Sequence, residues 1–177
     1  MKKLLTLAVF WILACSQMSC GYSTHSAMPG HFKTIYVEPF KNNVSYTTEG
    51  GRNLYLPQLE LKVKNAIVSR YLFDGNLRIS KKPEDADVIL KGELVSYNRG
   101  GLRYSDDDNV EEYRVQIFVN VQLLDTKDQT AVWQENGMVG EATYFVTGAQ
   151  ASSETLAVDK AVTDLARRVI ERTIQDW

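Results

Sequence analysis

Residues 111–125 alternate between apolar and polar side chains, and this period constrains the fold more than any other feature of the chain. Because successive side chains of a strand point to opposite faces, the period indicates a β-strand with one buried and one wet face. The apolar face carries Tyr113, Val115, Ile117, Val119, Val121 and Leu123. The polar face carries Arg114, Gln116, Asn120 and Gln122. The pattern predicts a long antiparallel strand in a sheet that is covered on one side only.

Four further segments have the composition of strands. They are residues 33–40, 77–80, 88–97 and 131–145. Residues 99–109 separate the third of these from the alternating segment, and their glycine pair and acidic run predict the tip of a hairpin. Residues 126–130 predict a second, shorter turn.

Two segments have the period of an amphipathic helix. The first follows Pro57, which suits the first helical position, and ends at Gly75, which suits the left-handed position after a helix. Its apolar stripe is Leu59, Val63, Ala66, Ile67 and Tyr71. The second is capped by Ser152 or Ser153, with Glu154 at its positive end. Its apolar face is Val158, Ala161, Val162, Leu165, Ala166, Val169, Ile170 and Trp177.

These elements follow one another in the order β, α, β, β, β, β, α. A twisted sheet with one apolar face needs a cover, and two amphipathic helices supply it. We therefore predict an α+β two-layer sandwich, in which a mostly antiparallel sheet of four to five strands is covered on one face by two amphipathic helices. Residues 32–177 form this single domain.

The first 20 residues have the pattern of an export signal. Lys2 and Lys3 precede an apolar run at residues 4–13, which is too short to span a membrane and fits a secretory signal. A small residue then precedes a cysteine twice, at Cys15 and at Cys20, which is typical of a bacterial lipoprotein signal. In such proteins the cysteine becomes the first mature residue and its thiol carries a diacylglycerol.

Cys20 is the preferred lipidation site, and Cys15 is the alternative. Cleavage before Cys20 removes Cys15 and so leaves no unpaired thiol in an oxidising compartment. The residues just before Cys15 form the better local cleavage box, and an ordinary signal peptide with incidental cysteines is a third interpretation. We assign residues 1–19 to the signal peptide and residues 20–31 to a lipidated N-terminus and tether, from which a lipid reaches the membrane.

Charge and residue content exclude several classes of function. Twenty basic residues stand against 22 acidic ones, so no basic excess favours a nucleic-acid partner. His25 and His31 both lie in the tether, which excludes a nucleophile with a histidine base in the folded part. No sequence motif for catalysis, nucleotide binding or metal binding is present. We expect no catalytic residues, no metal and no cofactor.

The 99–109 segment carries the candidate contact residues. Arg99 and Arg103 flank Gly100-Gly101, and arginines on a flexible turn suit bidentate phosphate binding. The nearby acidic run partly cancels that attraction, and the alternative is that both are ordinary exposed turn charges. Tyr104 belongs to a set of tyrosines near the strands that suits an amphipathic surface for a partner.

Several segments together resemble the lipopolysaccharide-assembly lipoprotein family, LptE. Cys20-Gly21-Tyr22 is similar to the mature start of that family. Residues 34–40, followed by Asn42-Asn43, resemble its first strand and turn, and residues 86–94 resemble its next long strand. Residues 112–115, Trp133, Tyr144 and residues 161–166 follow in the same order.

The resemblance implies an outer-membrane lipoprotein on the periplasmic side. Its partner would be the large β-barrel LptD, which it would plug and help to assemble. It would also assist the transfer of lipopolysaccharide to the outer leaflet. Arg99, Arg103 and Tyr104 are the candidate residues for contact with lipopolysaccharide or with the barrel. Two alternatives stay open: an outer-membrane lipoprotein that activates a peptidoglycan synthase, and an envelope hydrolase that uses carboxylates.

Overall fold

The computed structural model describes residues 32–44 and 56–175. The predicted signal peptide, the tether and both candidate lipidation sites, Cys15 and Cys20, lie outside the described residues. Trp177, predicted on the apolar face of the last helix, also lies outside them.

The described residues form six strands and two α-helices. The strands are β1 (Thr34–Val37), β2 (Lys41–Asn42), β3 (Arg78–Ile79), β4 (Val88–Tyr104), β5 (Val110–Asp125) and β6 (Ala131–Phe145). The helices are α1 (Leu59–Asp74) and α2 (Glu154–Gln175), and a 3-10 turn spans Pro83–Asp85. The predicted order of elements is confirmed, with the two-residue β2 as an addition after β1.

The strands form one mixed sheet in the order β3-β1-β4-β5-β6, with β2 also paired to β4. The pairs β4–β5 and β5–β6 are antiparallel and provide most of the ladder. β1 runs parallel to both β3 and β4, and α1 supplies the crossover that a parallel β1–β3 pair requires. The predicted two-layer α+β class with a mostly antiparallel sheet is confirmed.

The core lies between one face of the sheet and the two helices. The predicted apolar face of β5 is buried from Val115 to Leu123, and α1 contributes Leu59, Val63, Ile67 and Tyr71. The helices meet at a buried hydrogen bond of 2.7 Å between Tyr71 Oη and Thr173 Oγ1. Burial raises the pKa of the Tyr71 phenol well above its ordinary value, so this group stays neutral.

Asp87 joins β1 to the start of β4. Its Oδ2 atom accepts hydrogen bonds from the backbone N–H groups of Lys33 and Thr34, at 2.8 and 3.0 Å, and from the Thr34 hydroxyl at 2.9 Å. The bond from Lys33, together with those from Thr34, holds the pKa of Asp87 below its ordinary value. The residue therefore fixes the place where the described chain enters the sheet.

We expect Asp87→Asn to lower the free energy of unfolding by about 1.5 kcal/mol at neutral pH, because a neutral amide replaces a charged acceptor. The lowered folded-state pKa means that the carboxylate stabilises the fold above its ordinary pKa of 3.8 and stops doing so as the pH falls through the folded value. Urea unfolding at about pH 7 and about pH 2 measures this. The difference from wild type should shrink at the lower pH, and an equal difference at both would contradict the account.

Candidate functional site at the end of the β4–β5 hairpin

The β4–β5 hairpin extends beyond the helical layer. The ladder between the two strands continues to the pair Tyr104–Val110, so β4 ends at Tyr104 and not at Tyr97 as predicted. The last residues of β4, Gly100 to Tyr104, are exposed on both faces of the sheet. Only residues 105–109 form the turn, which is closed by a hydrogen bond of 2.8 Å from Ser105 N–H to the Asn109 carbonyl.

The predicted pair Arg99 and Arg103 is divided between the two faces of the sheet. Arg99 lies opposite buried Val115 and points toward α2, whereas Arg103 lies opposite Glu112 on the uncovered face. Register shifts at Gly101–Arg103 and Arg103–Tyr104 add to this separation. The structure therefore does not bring the two guanidinium groups together on one phosphate-sized site.

Arg99 belongs to a network that attaches α2 to the sheet. Its guanidinium donates to Glu154, the first residue of α2, and the Tyr97 hydroxyl donates to the same carboxylate at 2.7 Å. The Arg99 guanidinium carbon also lies 4.9 Å from the centre of the Tyr113 ring. That ring stacks on the Tyr144 ring, with 5.6 Å between the two ring centres. Burial, followed by the bond to Glu154, raises the pKa of Tyr97 far above its ordinary value. These contacts account for the Arg99 charge within the fold.

Glu154 is the ion-pair partner of Arg99, and the sequence indicated its role only in part. Its position at the positive end of α2 was predicted, and Ser153 caps the helix as expected, with Leu156 N–H at 3.2 Å from its Oγ. Its pairing with Arg99 joins residues that are 55 positions apart. No local pattern carries that information.

Arg103 and Tyr104 stay accessible. The Arg103 side chain is 60% exposed, with its Nε atom 3.7 Å from Glu112 Oε2 and its guanidinium carbon 5.4 Å from the Phe145 ring centre. Tyr104 is 56% exposed. With Leu102 and Val146, which are exposed at the same end of the sheet, they form what we call the hairpin-end surface. It is apolar with one partly neutralised cation, which suits docking against a partner.

The uncovered face of the sheet is largely polar in β4, β5 and β6, apart from the cross-strand neighbours Phe118 and Val139. Cross-strand rows place Lys91 beside Gln122 and Gln122 beside Gln134, and Glu93 lies beside Asn120. These side chains line a groove of about 340 Å³, which Glu38 and Lys41 complete from the segment around β2. The alternating pattern of β5 predicted a solvent-exposed sheet face. It did not predict that Glu38 and Lys41, from the segment between β1 and α1, line a groove on that face.

Within residues 32–44 and 56–175, no three His, Cys, Asp or Glu side chains come together in a way that could hold a metal ion. The uncovered sheet face offers amides for hydrogen bonding, and the hairpin-end surface offers apolar contacts. In the same described part of the chain, neither helix is long and apolar enough to cross a membrane.

Comparison with known proteins gives a family and a fold. The model of the lipopolysaccharide-assembly family, LptE, matches residues 32–173. The fold is similar to that of an uncharacterized lipoprotein B from Nitrosomonas europaea, at a TM-score of 0.55 and 13% identity, over 82% of this chain and 84% of that one. The rare lipoprotein B from Shewanella oneidensis aligns at a TM-score of 0.44 and 13% identity, over 80% of this chain and 95% of that one.

No curated protein sequence matches the chain. The family match nevertheless covers both helices and all six strands, from β1 to within two residues of the end of α2. The chain therefore belongs to the LptE family of lipopolysaccharide-assembly lipoproteins.

Proposed function

We propose that this protein is lipidated at Cys20, sits on the periplasmic side of the outer membrane and plugs an LptD-type β-barrel through which lipopolysaccharide reaches the outer leaflet. It acts without catalysis, by occupying the barrel and supporting its assembly. The observation that carries the proposal is the β4–β5 hairpin, whose end is exposed and extends beyond the helical layer in a member of this family. A protruding, partly apolar end is the shape that a plug requires.

The uncovered sheet face supports the same proposal. The interior of a large β-barrel is polar and lined by side chains that alternate with lipid-facing ones. A sheet with amides at Gln122, Gln134 and Asn120 can exchange hydrogen bonds with such a wall, because each amide carries both a donor and an acceptor. An apolar face in the same position would leave the polar groups of the barrel without partners.

Contact with lipopolysaccharide is assigned to Arg103 and Tyr104. The Arg103 guanidinium keeps most of its surface accessible and so can donate to a phosphate in a bidentate manner. Arg99, the third residue proposed from the sequence, acts on this surface indirectly, because it fixes the first turn of α2 through Glu154. We propose it as a positioning residue for the hairpin end.

Site-specific crosslinking in intact cells tests the plug. A photoreactive p-benzoylphenylalanine at Leu102 should trap a large β-barrel, because this side chain is exposed on the protruding hairpin. The same group at Lys127, in the turn between β5 and β6 at the opposite end of the sheet, is the matched control and should trap the barrel at least about tenfold less. Mass spectrometry of the product identifies the partner.

Products that contain only soluble or inner-membrane proteins would contradict the plug. An inner-membrane peptidoglycan synthase among them would support the alternative of a synthase activator. The synthase-activator alternative rests on the first strand followed by Asn42-Asn43, a pattern that those activators share. Both asparagines are bonded within the fold, since Asn42 donates to Glu60 at 3.0 Å and Asn43 donates to Glu93.

A further inference from the structure

The C-terminal turn of α1 presents two large apolar side chains to solvent. Phe73 is 82% exposed and Leu72 is 65% exposed, the highest values among large apolar residues in the described part of the chain. They follow Tyr71, the last buried residue of α1, and therefore point away from the core. The Arg70 guanidinium carbon lies 5.4 Å from the centre of the Phe73 ring. We call Arg70, Leu72 and Phe73 the α1 patch.

The α1 patch borders an open groove between the helices. The groove has a volume of about 270 Å³ and is lined by Ala66, Ser69, Arg70, Phe73, Thr163 and Ala166. The Nε atom of Arg70 is buried at its edge without a hydrogen-bond partner in the structure. The Arg70 guanidinium lies over the exposed Phe73 ring, beside exposed Leu72. A cation next to exposed apolar side chains is the combination that interfacial proteins present to phospholipid, with the cation at the phosphates and the apolar groups deeper.

The α1 patch lies at the end of the molecule where the described chain begins, at Phe32. Arg78 N–H donates to the Lys33 carbonyl at 2.9 Å, and Phe73 precedes Arg78 by five residues, so their Cα atoms are within about 18 Å. Eleven residues lie between Cys20 and Phe32, and the twelve Cα-to-Cα steps between these two positions span at most about 40 Å when fully extended. A lipid on Cys20 therefore holds this end close to the bilayer surface.

The hairpin-end surface is at the other end. β4 starts beside β1, at the pair Ile35–Val88, and its 17 residues extend about 55 Å to Tyr104. The extended tether, at about 40 Å, is shorter than the sheet, so a lipid on Cys20 favours one end of the sheet at the membrane over the other. The end that carries the α1 patch is the favoured one.

We propose that the α1 patch is a second membrane anchor, which inserts Leu72 and Phe73 into the periplasmic surface of a phospholipid bilayer and places Arg70 at the lipid phosphates. This inference rests on the lipid anchor of the proposed function and not on the barrel. Insertion would fix the orientation of the domain on the membrane and leave the hairpin end free to enter its partner.

Photocrosslinking to lipid tests the orientation. The full-length lipoprotein, purified from detergent-solubilised envelopes, is reconstituted into vesicles of phosphatidylethanolamine and phosphatidylglycerol with radiolabelled acyl chains. We expect p-benzoylphenylalanine in place of Phe73 to give at least about tenfold more lipid adduct than the same group in place of Leu156, which is exposed near the hairpin end. Leu72→Gln combined with Phe73→Gln should leave the unfolding midpoint unchanged, because both side chains are exposed.

Equal lipid adducts at positions 73 and 156 would overturn the second anchor, and so would a protein dimer as the main product at position 73. The mass of the purified chain reports independently whether acyl chains are attached. If they are absent, the α1 patch is the remaining contact with the bilayer, and the Gln double variant should then abolish flotation with the vesicles. Unchanged flotation would refute the inference in that case too. Because the vesicles contain no barrel, failure of the plug proposal does not affect either result.

Discussion

Gly140→Ala is expected to lower the free energy of unfolding by about 3 kcal/mol and the melting temperature by about 10 °C. Gly140 lies on the inner face of β6, where α2 approaches so closely that a Cβ atom would come 2.4 Å from the Ala161 carbonyl oxygen and 2.4 Å from Leu165 Cβ. These atoms belong to the helix backbone or its root, so they cannot move aside by a rotamer change. The helix itself must shift away from β6, and the buried contact that Leu165 makes with the sheet is lost.

Gly100→Ala is the matched control. Gly100 is also a glycine of the β4–β5–β6 ladder, but a Cβ atom there meets nothing within 4 Å. Its substitution should change stability by less than about 0.5 kcal/mol. Thermal and urea unfolding of the two variants measure the difference. Similar midpoints for both variants would mean that α2 has room to move and that Gly140 does not set its distance from the sheet.

The parts of the fold that were predictable share a local cause. The alternation in β5 depends only on which face of one strand is buried, and Val115 to Leu123 are buried as predicted. The stripe of α1 and the stop at Gly75 are likewise local, and Gly75 adopts the left-handed conformation with φ of 78°. The layer architecture then follows, because two amphipathic helices and one half-apolar sheet have few ways to bury their apolar faces.

The extent of the hairpin was not predictable, because a pair of glycines does not by itself mark where a hairpin turns. Gly100-Gly101 predicted a turn, yet both residues lie in the ladder. A Cβ atom on Gly101 would collide with the Tyr104 hydroxyl, so this glycine makes room for the ring of a residue three positions later. Glycine marks either a turn or a close approach, and the sequence does not distinguish the two.

The division of the candidate site also depended on distant partners. Arg99 and Arg103 are equally polar in the sequence, but Arg99 meets Glu154 from α2, whereas Arg103 meets Glu112 and the Phe145 ring on the uncovered face. Which arginine is accessible therefore depends on where α2 begins relative to β4. The parallel pairing of β1 with β3 and β4 is non-local in the same way. Cys20, Cys15 and the domain limits stay predictions.

The second large effect is expected at the hairpin end. Leu102→Gln combined with Tyr104→Gln should weaken binding to the barrel about 100-fold, because two apolar side chains that lose water on docking contribute about 1.5 kcal/mol each. Both are exposed in the free protein, so the unfolding midpoint should change little. The amount of β-barrel that co-purifies with the tagged protein from solubilised envelopes measures the loss.

Leu72→Gln combined with Phe73→Gln is the control for this variant, since it also replaces one leucine and one aromatic side chain by glutamine, at the other end of the molecule. It should leave co-purification of the barrel intact and reduce only lipid contact, whereas the hairpin-end variant should do the reverse. Two exposed apolar surfaces at opposite ends of the molecule, about 50 Å apart, can then be assigned to two different partners. If both double variants weakened barrel recovery equally, the contact with the barrel would extend along the whole molecule, and the separation of a docking end from a membrane end would be wrong.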